Sequence, residues 1–230
     1  MLQNFTDKFY LNFIADDRWK YLTNGLKTTL IVTVFAVLIG IAIGFLVAVV
    51  RSTYDKTKKL KVLNALCKLY LTVIRGTPVV VQLLIIYFVI FGSVRIDKTI
   101  VAILAFGLNS GAYVAEIIRS GIMSIDNGQF EAGRSLGFNY VQTMIYIVLP
   151  QALKNVLPAL GNEFIVLLKE TSVAGYIALE DLTKGGDIIR SRTYDAFMPL
   201  IAVALIYLVM VLAFSKLLSI LERRLRNSER

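Results

Sequence analysis

The sequence predicts an all-α integral membrane protein of about five transmembrane helices, with a helical loop on the cytoplasmic side, the amino terminus outside and the carboxyl terminus inside. Three observations carry this. Hydrophobic residues make up 57% of the 230 and charged residues 18%, against roughly 45–50% and about 25% in a soluble domain. Several uncharged runs are long enough to cross a bilayer core of about 30 Å, which takes roughly 20 residues of helix. The formal net charge of +9 is gathered in the stretches between those runs, as the positive-inside rule requires. The whole of 1–230 reads as one transmembrane domain. With no histidine and a single cysteine, Cys67, disulfide frameworks, the usual zinc sites and histidine acid–base chemistry are excluded, and no metal is expected.

The spans follow in order. Residues 1–25 contain only a six-residue apolar piece, FYLNFI, before Asp16 and Asp17. That is too short for a signal sequence. The segment is expected to lie as an amphipathic stretch on the outer surface, with Phe9, Phe13, Trp19 and Tyr21 at interface depth. Leu30–Val50 is uncharged throughout and forms the first span; Gly40 and Gly44 in it make a weak G-x-x-x-G match. Gly76–Val94 is the second, Thr99–Ala115 the third, Gln151–Leu168 the fourth despite Pro158 and Glu163, and Ala196–Ser215 the fifth. In the fifth, Tyr207, Met210 and Phe214 read as packing surface, turned towards lipid. Five spans place the termini on opposite sides. Arg51–Lys61, Arg119–Lys154 and Lys216–Arg230 together hold 13 Lys/Arg against 5 Asp/Glu, so those stretches are assigned to the cytoplasm.

The connection from residue 119 to residue 150 is longer than a simple link and is not low-complexity. Phe130, Ala132, Leu136 and Gly137 fall at helical spacing, Gly137-Phe138-Asn139 breaks the helix, and a second helix is expected to end at Pro150. A short helix, a glycine elbow and another helix would make a compact knob, either a plain connector or a docking element for a soluble partner. Its residues carry a specific likeness. Glu131-Ala132-Gly133, three residues on Gly137, and nine residues further Ile147-Val148-Leu149-Pro150 resemble the cytoplasmic E-A-A loop of ABC importer permeases, with Gly133 in place of the second alanine. Arg75-Gly76-Thr77-Pro78, Val81-Gln82, Ala115-Glu116, Ile118-Arg119, Gly128-Gln129 and Lys169-Glu170-Thr171-Ser172 look like the polar amino acid uptake branch of that superfamily.

The resemblance covers the chain from Leu22 to the tail. It implies a multi-pass permease of the bacterial plasma membrane that pairs with a second permease chain, most simply an identical one. A dimer of ATPase subunits would bind below, through Glu131, Ala132, Gly133 and Gly137, and an extracytoplasmic amino-acid-binding protein would deliver the cargo. No G-x-x-x-x-G-K-[ST] occurs, so ATP and its magnesium are expected on the partner ATPase and no cofactor on this chain. No nucleic acid partner is expected.

Polar residues inside spans are costly, about 2.5–3.5 kcal/mol for a charge at the centre, and mark function. Helical rise puts Glu163 roughly 17 Å into the fourth span and Asn109 about 15 Å from the same face in the third. Pro78 and Gly76 predict a break in a helix that would otherwise run too far, and Arg75, Thr77 and Gln82 flank it. Broken helices line binding sites in transporters. Arg75 suits a carboxylate, Asn109 an ammonium group, and Glu163 a basic side chain, unless Glu163 and Arg75 pair with each other. On this ground the expected cargo is arginine, lysine or histidine, with glutamine or another neutral polar amino acid as the alternative. A passive channel would need rings of repeated polar groups, and an enzyme an acid, a base and a nucleophile; the sequence has neither pattern.

Overall fold

In lipid, apolar side chains gain little by leaving the solvent, so helices associate where small residues let their backbones approach. The computed structural model, which describes residues 2–227, is organised around one such contact. Helix α1 (Leu2–Phe9) continues through a π turn (Tyr10–Ile14) and a 3-10 turn into α2 (Trp19–Thr57). There follow α3 (Lys61–Gly76), α4 (Val79–Leu84, prolonged by a π turn to Ile90), α5 (Lys98–Met123) and α6 (Asn127–Ser135). The order ends with α7 (Tyr140–Thr143), α8 (Leu149–Glu170), α9 (Leu182–Thr193) and α10 (Phe197–Asn227). Helices α2 and α5 lie side by side. A Cβ on Gly40 would come within 2.9 Å of Ser110, and one on Gly44 within 2.5 Å of Val114. The weak G-x-x-x-G is therefore the seam of the molecule. Phe106, Val101 and Leu83 fill the core beside it.

Among the described residues, four helices are long and apolar enough to span a membrane, and the bent pair of α3 and α4 brings the number to five if the pair crosses as one span. The two halves of that pair meet at 108°. The break falls where Gly76 and Pro78 place it, but the spanning stretch differs from Gly76–Val94: a helix precedes the break, and the one after it ends at Ile90.

Other boundaries move as well. Helix α5 does not stop at Ala115. It runs on to Met123 because Glu116 and Arg119 are held by ion pairs to neighbouring helices. Pro150 does not end a helix either. A π turn over Met144–Val148 joins α7 to α8, and the proline sits in the first turn after it, where a missing N–H costs least. The long connection thus shrinks from 119–150 to the stretch around α6. Helix α8 also passes through Pro158 without ending.

At the amino end, Phe9 and Trp19 are exposed, whereas Phe13 and Tyr21 pack on Leu22, Leu182, Ile189 and Val203. Trp19 onward belongs to α2. Asn12 is fully buried, donating to Asp195 Oδ2 at 3.1 Å and accepting from Thr193 Oγ1 at 2.9 Å. The segment is thereby pinned to the α9–α10 junction. Tyr207, Met210 and Phe214 turn inward, not to lipid. Tyr207 and Met210 join the same cluster, and Phe214 meets Phe164 edge-on at 5.0 Å. Part of the basic tail, Ser228 to Arg230, lies outside the described residues.

Asp181 caps α9, accepting from the Thr183 and Lys184 amides at 3.2 and 3.0 Å, while Leu182 N donates to Thr29 Oγ1 on α2. Its side chain is buried, and burial pushes its carboxyl up from 3.8 to about 6. A raised acid binds its proton more tightly folded than unfolded, so its contribution is full below pH 4 and is lost as pH rises through 6. Hydrogen exchange of the α9 amides is therefore expected to quicken between pH 4 and 6, after correction for intrinsic rates. In Asp181→Asn, which keeps a capping oxygen, that dependence should flatten. Protection that grows with pH in the wild type would contradict this.

Candidate functional site

Four polar side chains come together at mid-span. Thr77 and Pro78 are extended at the break, which frees carbonyls at the end of α3. Gln82, one turn into α4, turns back to take them: its Nε2 donates to Ile74 O at 2.7 Å, Thr77 O at 3.0 Å and Thr77 Oγ1 at 2.9 Å. Thr77 Oγ1 in turn donates to Val73 O at 2.8 Å. The Oε1 of Gln82 accepts from Asn109 Nδ2 at 3.1 Å, linking α4 to α5. One residue on, Ser110 Oγ donates to Glu163 Oε1 at 2.9 Å, linking α5 to α8. Asn109, Ser110, Gln82 and Glu163 are 2%, 0%, 8% and 7% exposed. Tyr70 adds a hydroxyl bonded to Leu108 O at 2.6 Å.

The depth arithmetic for Asn109 and Glu163 agrees with this layer. Thr77 and Gln82 belong to it through bonds that close the break within the chain. Ser110 was missed, although it stands beside Asn109 in the same uncharged run.

Arg75 lies elsewhere. It pairs neither with Glu163 nor with the layer. Its Nη1 stands 3.9 Å from Glu116 Oε1, and its guanidinium 5.7 Å from the Tyr113 ring. Glu116 is seven residues beyond Asn109, about 10 Å along α5. Arg51 holds Glu116 more closely, at 3.0 Å, and Arg119 bonds Asp55 at 3.2 Å. A cleft of about 340 Å³ between these helices is lined by Arg51, Lys68, Leu71, Thr72, Arg75 and Glu116.

The third feature is a rigid knob at the Thr57 end of the bundle. Asp126 caps α6 through Gly128 N at 2.6 Å. The helix closes with two reversed bonds, Phe138 N to Gly133 O at 3.0 Å and Gly137 N to Arg134 O at 2.9 Å, the Schellman arrangement. It requires a left-handed residue, and Gly137 has φ +80°. Asn139 and Gln142 then form a reciprocal capping box. A Cβ on Gly133 would come within 2.6 Å of Thr143, so the contact with Thr143 leaves no room for an alanine at this position. Phe130 stacks on Tyr140 at 6.3 Å, and Lys56 lies 4.5 Å over Phe130. Glu131, Ala132 and Arg134 face outward, next to the exposed Leu136, Val141 and Tyr146.

A multi-pass bundle with a buried polar layer at mid-span and a projecting rigid knob has the features of a membrane transport subunit. The sequence model of the family described as "Binding-protein-dependent transport system inner membrane component" matches residues 36–227. The chain belongs to that family and is an ABC importer permease subunit of the amino acid type. The glutamine transport system permease protein GlnP of Escherichia coli K12 is 38% identical over 208 residues, 89% of this chain and 93% of that protein. A solved structure described as an amino acid ABC transporter with histidines superposes with a TM-score of 0.83 at 46% identity, covering 92% of this chain and 98% of that one. An inward-facing structure of the MetNI methionine ABC transporter superposes at 0.78 with 19% identity, covering 90% and 97%, and shows the fold alone.

Proposed function

We propose that this subunit imports glutamine or a similar neutral polar amino acid by alternating access, with its amino terminus outside and its carboxyl terminus in the cytoplasm. The reading rests on one observation above all: Gln82, Asn109, Ser110 and Glu163 make a buried polar layer at mid-span, joined by hydrogen bonds that bridge three helices. Such groups are satisfied by one another when the site is empty and can exchange those bonds for a ligand's amide, ammonium and carboxylate. The kinship to a glutamine permease supports the cargo. The knob of Glu131, Ala132, Gly133 and Gly137 docks an ATPase dimer, which carries the ATP and magnesium. A second copy of this chain completes the pathway, and an extracytoplasmic binding protein delivers the amino acid.

A basic cargo is a second reading with its own support. Among the described residues no cation lies within ion-pair distance of Glu163, whose hydrogen bond is to Ser110, and a solved relative is described with histidines. Binding of radiolabelled glutamine, histidine and arginine to the purified permease–ATPase complex separates the two. Under the glutamine reading, Glu163→Gln is expected to change glutamine affinity by less than about three-fold. Under the basic reading it weakens histidine or arginine binding about 10–100-fold, since a charge-assisted bond is worth about 1.5–3 kcal/mol. Absence of binding by all three amino acids to the wild type would sink both.

A further inference from the structure

Lys68, Leu71, Thr72 and Arg75 lie at i, i+3, i+4 and i+7 along α3 and so share one helical face. All four line the cleft that also holds Arg51 and Glu116. The charges there do not balance. Three cations line the cleft with one carboxylate, and that carboxylate is engaged by Arg51 at 3.0 Å while Arg75 stays at 3.9 Å. Lys68 has no ion-pair partner among the described residues and is exposed. The neighbouring acid, Asp55, is bonded to Arg119. Arg75 is about half-exposed and braced by the Tyr113 ring. A guanidinium fork beside an ammonium group, with a hydroxyl on the same face, is a receptor for a planar anion.

We propose that this cleft is a carboxylate subsite on the cytoplasmic half of the pathway, where Arg75 and Lys68 take the α-carboxylate of the amino acid after it leaves the mid-span layer. Glu116 is the internal counter-ion that keeps Arg75 poised when the subsite is empty. The roughly 10 Å between Asn109 and Glu116 along α5 makes it a second station, not a part of the first. The assignment of its ligand rests on the amino acid cargo proposed above.

The test uses the purified permease–ATPase complex in phosphatidylcholine nanodiscs. Binding of L-glutamine and L-histidine is compared with that of glutaminol and histidinol, which lack the carboxylate. For whichever amino acid binds the wild type, Arg75→Gln and Lys68→Gln are each expected to weaken its binding at the second station about ten-fold or more while the mid-span station still binds, and Arg75→Lys to keep part of it. The amino alcohols should bind weakly to all forms alike. Lys68, which makes no ion pair among the described residues, guards against a folding defect at Arg75. Amino acid affinities within two-fold of wild type in both variants overturn the subsite; if Asn109→Ala alone weakens binding, the mid-span reading survives that failure. Conversely, loss in the Arg75 and Lys68 variants with none in Asn109→Ala or Glu163→Gln supports the subsite and removes the mid-span one. If inorganic phosphate, or phosphatidylglycerol added to the disc, stabilises the wild type but not Arg75→Gln while amino acids do nothing, the cleft takes phosphate or a lipid headgroup and the carboxylate assignment falls.

Discussion

Replacing Gly137 with tryptophan is expected to lower ATP-driven amino acid uptake at least ten-fold while leaving the chain folded in the membrane. Gly137 holds φ +80° and closes α6 through two backbone bonds. An ordinary L-residue there costs about 1–2 kcal/mol, met by distorting the knob. Among the described residues nothing lies within 4 Å of a Cβ at this position, so the indole is accommodated without disturbing the bundle. It would instead add bulk to the exposed surface of the knob. The strain and the added bulk both fall on the surface assigned to the ATPase. Hydrolysis by the assembled complex should then persist without transport, or the ATPase should dissociate. Gly137→Asn is the control, because asparagine tolerates the left-handed region, and it should retain most of the uptake. Normal uptake by Gly137→Trp would remove the knob from the coupling mechanism.

Gly44→Leu should act at the opposite level, on the existence of the fold. A Cβ there would sit 2.5 Å from Val114 Cγ1 and 2.8 Å from the Ala115 amide nitrogen. Backbone cannot step aside as a flexible side-chain end can. Overpacking of this kind costs about 1–3 kcal/mol and occasionally more. Here it would prise apart the α2–α5 seam, so the expected result is a several-fold loss of monodisperse protein by size exclusion after mild heating. Gly76→Ala, with nothing within 4 Å of the new methyl group, should match the wild type. Equal heat resistance for Gly44→Leu would mean the seam is not what holds the two helices together.

The contrast between these two glycines shows what a linear reading of this chain reaches. The spans are legible because uncharged runs of bilayer length have few alternative fates. The knob is legible because its turn needs glycine at one position and a cap two residues later. Helical rise also placed Asn109 level with Glu163, and the Ser110–Glu163 bond has that level. Charges misled the reading of boundaries. Glu116 and Arg119 look like the end of a span, yet α5 continues through them because Arg51 and Asp55, more than 60 residues away, neutralise them. Arg75 was expected at the substrate layer, but its long side chain leads away from its backbone position to Glu116 and Tyr113. Gln82 was expected to flank a break that lines a binding site, and its amide closes that break. In each case the deciding partner is distant in sequence, where no local pattern records it.

The most direct test of the central claim is accumulation of radiolabelled glutamine and histidine by proteoliposomes. They would contain this permease, its ATPase and its binding protein, with and without ATP. An importer subunit predicts accumulation above the equilibrium level that requires both ATP and the binding protein, and that is lost in Gly137→Trp. Equilibration of either amino acid without ATP, unaffected by that substitution, would contradict the account and describe a passive channel.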